Sequence, residues 1–172
     1  MPRYTIAALV PDPWAAEIHA LRRQFDRWSR QWLPPHLTIV PPVSADISLP
    51  MVVEIETFPA DIAVNWQGWG AFHHERSNVI WLHAGQGVTD HLRPKLVSAI
   101  PSLAATATIP PVDWQGPAAY HVTVVNRVPH DVFAELDQEL RKRTVAGQFV
   151  IPWLTVFQWD ELTNRWLFAR PK

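Results

Sequence analysis

The sequence predicts an α+β fold in which helices pack on sheets and the chain forms two pseudo-symmetric lobes. Three observations lead there. Short apolar runs rich in β-formers alternate with stretches of helical periodicity, and prolines punctuate the boundaries. One long stretch carries an apolar stripe at steps of four and three. A segment in the first half of the chain recurs 85 residues later, half the chain length.

Each element can be justified in order. Tyr4 to Val10 reads as a strand closed by Pro11 and Pro13. Trp14, Ile18, Leu21, Phe25, Trp28 and Trp32 then make one helical face, with Asp12 as expected N-cap and Pro13 at the first helical position. Arg22, Arg23, Arg27 and Arg30 lie off that stripe and read as a solvated face, or as a basic rim. Pro34-Pro35 ends the helix and forces extended backbone into a strand from His36 to Val40. Strands are predicted over Ile62 to Phe72 and Asn78 to Ala84, joined by a polar loop at His73 to Asn78. A second helix is expected over Thr89 to Ile100, then a proline-containing loop over Pro101 to Gly116. Tyr120 to Val128 is a strand. Asp131 to Thr144 is a helix with Val132, Phe133, Leu136 and Leu140 inward. Phe149 to Trp159 and Arg165 to Ala169 are strands joined by a turn at Asn164.

Composition bounds the function. The chain has 172 residues, 48% hydrophobic and 18% charged, so it is long and apolar enough to fold as one two-lobed domain over 1–172. It has no cysteine, which excludes a disulfide scaffold, a thiolate zinc site and a thiol nucleophile. No apolar run reaches a membrane span and no cleavable-signal layout opens the chain, so a soluble, cytoplasmic protein is expected. A net charge of −1 gives no global attraction to nucleic acid; anion binding must come from a local site. Nothing points to an obligate protein partner, and a monomer is expected.

The repeat carries the chemistry. His36-Leu37-Thr38-Ile39-Val40 matches His121-Val122-Thr123-Val124-Val125. Two His-x-Thr triplets alone are weak evidence; the longer match, the shared strand context and the half-chain offset strengthen them. On a strand, residues i and i+2 share a face, so His36 and Thr38 point one way and Leu37 and Ile39 the other. The same holds for His121 and Thr123 against Val122 and Val124. A pseudo-twofold would bring both polar faces to one cleft. Two imidazoles suit displacement at a phosphodiester, one as base and one as acid, because their ordinary pKa lies near neutrality. Two threonine hydroxyls can donate to the non-bridging oxygens. That chemistry needs no metal and no cofactor.

With these motifs the sequence resembles the two-histidine (2H) phosphoesterase superfamily, which includes 2′,5′-RNA-ligase-like proteins and RNA 2′,3′-cyclic phosphodiesterases. The resemblance extends from the opening strand-helix unit to the strand Val79 to Leu82, covering essentially the whole chain. It implies antiparallel sheets around a central cleft, with helices outside. It implies metal-free hydrolysis or reversible transfer at a cyclic or 2′-linked phosphodiester, with a nucleotide or an RNA end as substrate. It also implies His121 as the base and His36 as the acid. RNA-ligase-like members often carry Arg five residues after the second motif histidine. Here that position is Asn126, and Arg127 follows. Counting by twos from His121 places Arg127 on the cleft face unless a bulge intervenes, and the sequence looks like a divergent member. Arg127 and Arg76 are candidate phosphate contacts, and Phe72 and Tyr120 candidate stacking residues. His73 and His74 read as exposed loop residues. A binding module with the same pocket and little turnover is the alternative, and an interaction protein with coincidental motifs the third possibility.

Overall fold

The computed structural model describes residues 2–27, 33–44, 47–86, 92, 96, 98 and 119–169. It is α+β. Strand β1 (Arg3–Leu9) leads into helix α1 (Trp14–Phe25), then β2 (His36–Ser44), α2 (Leu49–Glu56), β3 (Pro59–Asn65), β4 (Trp69–His73), β5 (Asn78–Gln86) and β6 (Ala119–Val128). Helix α3 (His130–Arg141) and strands β7 (Gln148–Trp153), β8 (Thr155–Asp160) and β9 (Arg165–Phe168) complete the order.

The described strands form three antiparallel sheets. The first has the order β2-β1-β8-β9, the second is β4-β5-β6, and β3 pairs with β7 in a third, smaller one. The two His-x-Thr strands, β2 and β6, are each the edge strand of a different sheet. Residues such as Ile6, Leu37, Ile39, Ile80, Leu82, Val122 and Val124 bury one face of these sheets in a shared core with Ile18 of α1 and Ile55 of α2. The inward positions expected on the last helix hold: Leu140 is fully buried, and Val132, Phe133 and Leu136 pack against the core.

Several sequence expectations need correction. The first helix ends at Phe25, before Trp28; Trp28 and Trp32 lie outside the described residues. Pro13, not Asp12, occupies the N-cap position, and no side chain caps the helix. The single strand expected over Ile62 to Phe72 is two strands in different sheets, β3 and β4. Gly68 sits between them at φ +113, a conformation that suits a residue without Cβ. Phe149 to Trp159 also divides, at the buried Leu154, into β7 and β8 on different sheets. Helix α2 was not anticipated. Its eight residues bury only Met51, Val52 and Ile55, too few to set up a visible periodicity. Of the helix expected over Thr89 to Ile100, only Leu92, Leu96 and Ser98 are described; all three are helical, and both leucines are buried. The expected loop at Pro101 to Gly116 lies outside the described residues. No described helix is long and apolar enough to cross a membrane.

Candidate active site

On β2, Leu37 and Ile39 are fully buried while His36 and Thr38 are half-buried; on β6, Val122 and Val124 are fully buried while His121 and Thr123 are half-buried. Slipping either strand by one residue would expose two such apolar side chains, at roughly 1.5–3 kcal/mol each. The motif faces are therefore fixed by the core on their reverse side.

The registers supply the neighbours. On the first sheet, Leu9 stands opposite His36 and Ala7 opposite Thr38, with Thr155 across from Ala7. The Phe157 ring lies 6.3 Å from the His36 ring. On the second sheet, Trp81 stands opposite Thr123 and His83 opposite His121, while Gly70 stands opposite Trp81. Trp81 rests over Gly70, where a Cβ would overlap its six-membered ring. The His121 ring meets Phe72 edge-on at 4.9 Å and Trp81 at 5.4 Å. Ala7, Trp81 and Phe157 are buried yet stand outside the main core cluster; they floor the face that carries the motif residues.

Strands β2 and β6 run beside each other but belong to different sheets. Arg22, from α1, donates through Nη1 to Leu33 O and through Nη2 to Thr123 O, both at 2.6 Å. The sequence places Arg22 on a solvated face; in the structure it is only 5% exposed. Burial lowers its pKa to about 10, with the Asp26 carboxylate acting in the opposite direction, so the guanidinium stays charged at neutral pH.

His36 Nδ1 lies 2.7 Å from Pro34 O. A carbonyl only accepts, so Nδ1 carries a proton and, in the neutral ring, Nε2 is bare. Desolvation is the main influence on this ring and lowers its pKa to about 4. The Pro34 hydrogen bond opposes that shift, and the positive charges of Arg22 and His121 add to it. His36 as a residue is half-buried, and the packing around its ring disfavours the imidazolium. At neutral pH the His36 ring is therefore neutral.

Of the four further residues named from sequence, Phe72 meets His121 directly. Tyr120 is half-buried against the hydrophobic core. Arg76 is exposed in the turn between β4 and β5, and Arg127 is exposed at φ +55 near the end of β6. That end pairs with Asn78, five residues along β5 from the His83–His121 pair, roughly 17 Å away at strand rise. Counting by twos to Arg127 also fails. The register shifts between the Trp81–Thr123 and Ile80–Val125 pairs, and Val124 and Val125 are both fully buried. This bulge brings Asn126, not Arg127, into phase with His121 and Thr123. Asn126 Oδ1 accepts from the Arg127 backbone N–H at 2.8 Å. His73 and His74 are exposed, and His73 Nδ1 contacts Asn78 Oδ1 at 2.8 Å.

Sequence reasoning missed three residues: Arg22, Trp81 and His83. The last two occupy alternate positions on β5, so the period of two that exposed His36 and Thr38 would also have exposed them. Among the described residues no group of three or more His, Cys, Asp or Glu converges as metal ligands would.

A family model for the 2'-5' RNA ligase superfamily matches residues 10–162, a span that holds all four motif residues. No curated protein matches the chain.

Proposed function

The chain belongs to the 2'-5' RNA ligase superfamily, and from that premise we propose that it is a metal-independent phosphodiesterase acting on a cyclic or 2′-linked phosphodiester. A 2′,3′-cyclic nucleotide or an RNA end is the substrate class. His36, Thr38, His121 and Thr123 are the catalytic residues, and the enzyme works as a cytoplasmic monomer. The observation that carries the reading is the pairing of two histidines on adjacent edge strands, one of them held neutral with its bare Nε2 set by the Pro34 carbonyl.

The protonation of His36 favours it as the base. Its Nε2 takes a proton from the attacking water as oxygen bonds to phosphorus. His121, protonated, gives a proton to the departing ribose oxygen as its bond to phosphorus breaks. This reverses the roles that resemblance implies, because burial and two nearby positive charges keep the free protein's His36 unprotonated. The threonine hydroxyls donate to the non-bridging oxygens, where negative charge builds. Phe72 and Trp81 hold the His121 ring from the side.

The test is a panel of 2′,3′-cyclic mononucleotides, cyclic-phosphate RNA ends and 2′,5′-linked dinucleotides, each incubated with and without excess chelator. Turnover unaffected by chelator is expected. Activity abolished by chelator and restored by a divalent cation would overturn the metal-independent mechanism. Binding without turnover of any substrate would favour the binding-module reading.

A further inference from the structure

The seam between the two motif strands has no ladder of its own, yet the acid and base must sit at a fixed separation. We infer that Arg22 is the positioning residue that sets this separation, tying the segment entering β2 to β6 by donating from one guanidinium to a carbonyl on each. The inference rests on the reading of His36 and His121 as the acid–base pair.

Three observations support it. Arg22 is among the few buried charged residues described, and helix α1 presents it inward although it lies off the apolar stripe. Its two contacts are to residues far apart in sequence, Leu33 and Thr123, and both lie within three residues of a motif histidine. Both acceptors are backbone carbonyls, so the contacts fix main chain rather than a mobile side-chain tip. A planar fork with two parallel donors suits this task; a lysine ammonium on a flexible stem does not span two acceptors with the same geometry. The guanidinium charge also acts on His36 alongside that of His121.

Arg22→Lys and Arg22→Met separate these contributions. Lys keeps the charge and loses the fork; Met loses both. For Arg22→Lys, with an unchanged circular dichroism spectrum, kcat should fall roughly 10- to 100-fold while KM stays within about threefold, because loss of alignment penalises the transition state more than substrate binding. In Arg22→Met the His36 ring, followed by NMR, should titrate at higher pH than in the parent, and in Arg22→Lys close to the parent. A kcat within about threefold of the parent in Arg22→Lys, or an unshifted His36 titration in a folded Arg22→Met, overturns the inference. If Arg22→Met does not fold, Arg22→Lys decides by its split between kcat and KM. If the parent turns over no phosphodiester, the functional reading is what fails. The positioning role is then judged by NOEs between β2 and β6, whose weakening in Arg22→Lys upholds it and whose persistence overturns it.

Discussion

His83 stands directly across the β5–β6 ladder from His121. Side chains at paired positions share a face, so a further imidazole adjoins the second motif histidine. The His83 ring also lies 5.9 Å from Trp81, which stands opposite Thr123. The second motif is thus backed by a cross-strand row of aromatic rings, whereas the first is backed by Phe157 on its own sheet.

Replacing His36 or His121 by Ala should lower kcat/KM on a cyclic phosphodiester roughly 10²- to 10⁴-fold, the range for a positioned acid or base. The double variant should fall only modestly below the worse single one, because the two act as a unit. Steady-state kinetics on proteins with parental circular dichroism check this. Near-full activity in both singles would rule out the acid–base assignment.

Thr38→Val and Thr123→Val keep shape and remove one donor each. A hydrogen bond to a charged oxygen contributes about 1.5–3 kcal/mol, so each change should cost about tenfold to a few hundredfold in kcat and less than loss of a histidine. A loss confined to KM would show that the hydroxyls bind substrate without favouring the transition state.

Acidification should destabilise the protein through His36. Its folded-state pKa, lowered to about 4, lies below the 6.5 of an unfolded histidine. Between those values the unfolded chain binds the proton and the folded protein does not, so stability falls as pH drops from 6.5 to about 4 and this contribution then levels off. Within the window the slope from this residue approaches about 1.4 kcal/mol per pH unit. Urea unfolding of parent and His36→Gln across that range should show a shallower pH dependence in the variant. Equal slopes would mean that His36 is not held neutral.

Gly70→Ala should lower activity through Trp81. The added methyl overlaps the indole, so the ring must lift toward His121 and Thr123; overpacking of this kind costs about 1–3 kcal/mol. Thermal unfolding and tryptophan fluorescence should both change, together with kcat. A variant with parental fluorescence and kcat would show that Trp81 does not support the second motif.

Both motif faces were legible in the sequence, but β2 runs on through Pro41 and Pro42 to Ser44, where the sequence predicts its end at Val40. The faces were legible because the period of two is a local property, enforced by Leu37, Ile39, Val122 and Val124. The inward face of α3 was legible for the same reason, with a period near 3.6. The divisions of 62–72 and 149–159 were not, because apolar content runs through them while the sheet changes at Gly68 and Leu154. Local pattern also cannot reveal a bulge, and so it misplaced Arg127. Arg22 was misread because charge usually marks a solvated face, and only the tertiary seam supplies the two carbonyls that make its burial favourable.

The strand order of the larger sheet has a consequence for the birth of the fold. β4, β5 and β6 all fall within 69–128, so the sheet bearing His121 can assemble from one internal stretch of chain. The sheet bearing His36 cannot. β1 is flanked by β2 and by β8, whose residues follow it by roughly 150 positions, and β9 adds to β8. During synthesis β1 and β2 emerge well before β8 and wait with an open inner edge until that strand has been made. Phe157, which floors His36, arrives with that late strand. The face that holds the neutral imidazole thus matures after the sheet that holds His121, and a polypeptide stopped short of β8 would carry the first motif without the aromatic ring beneath it.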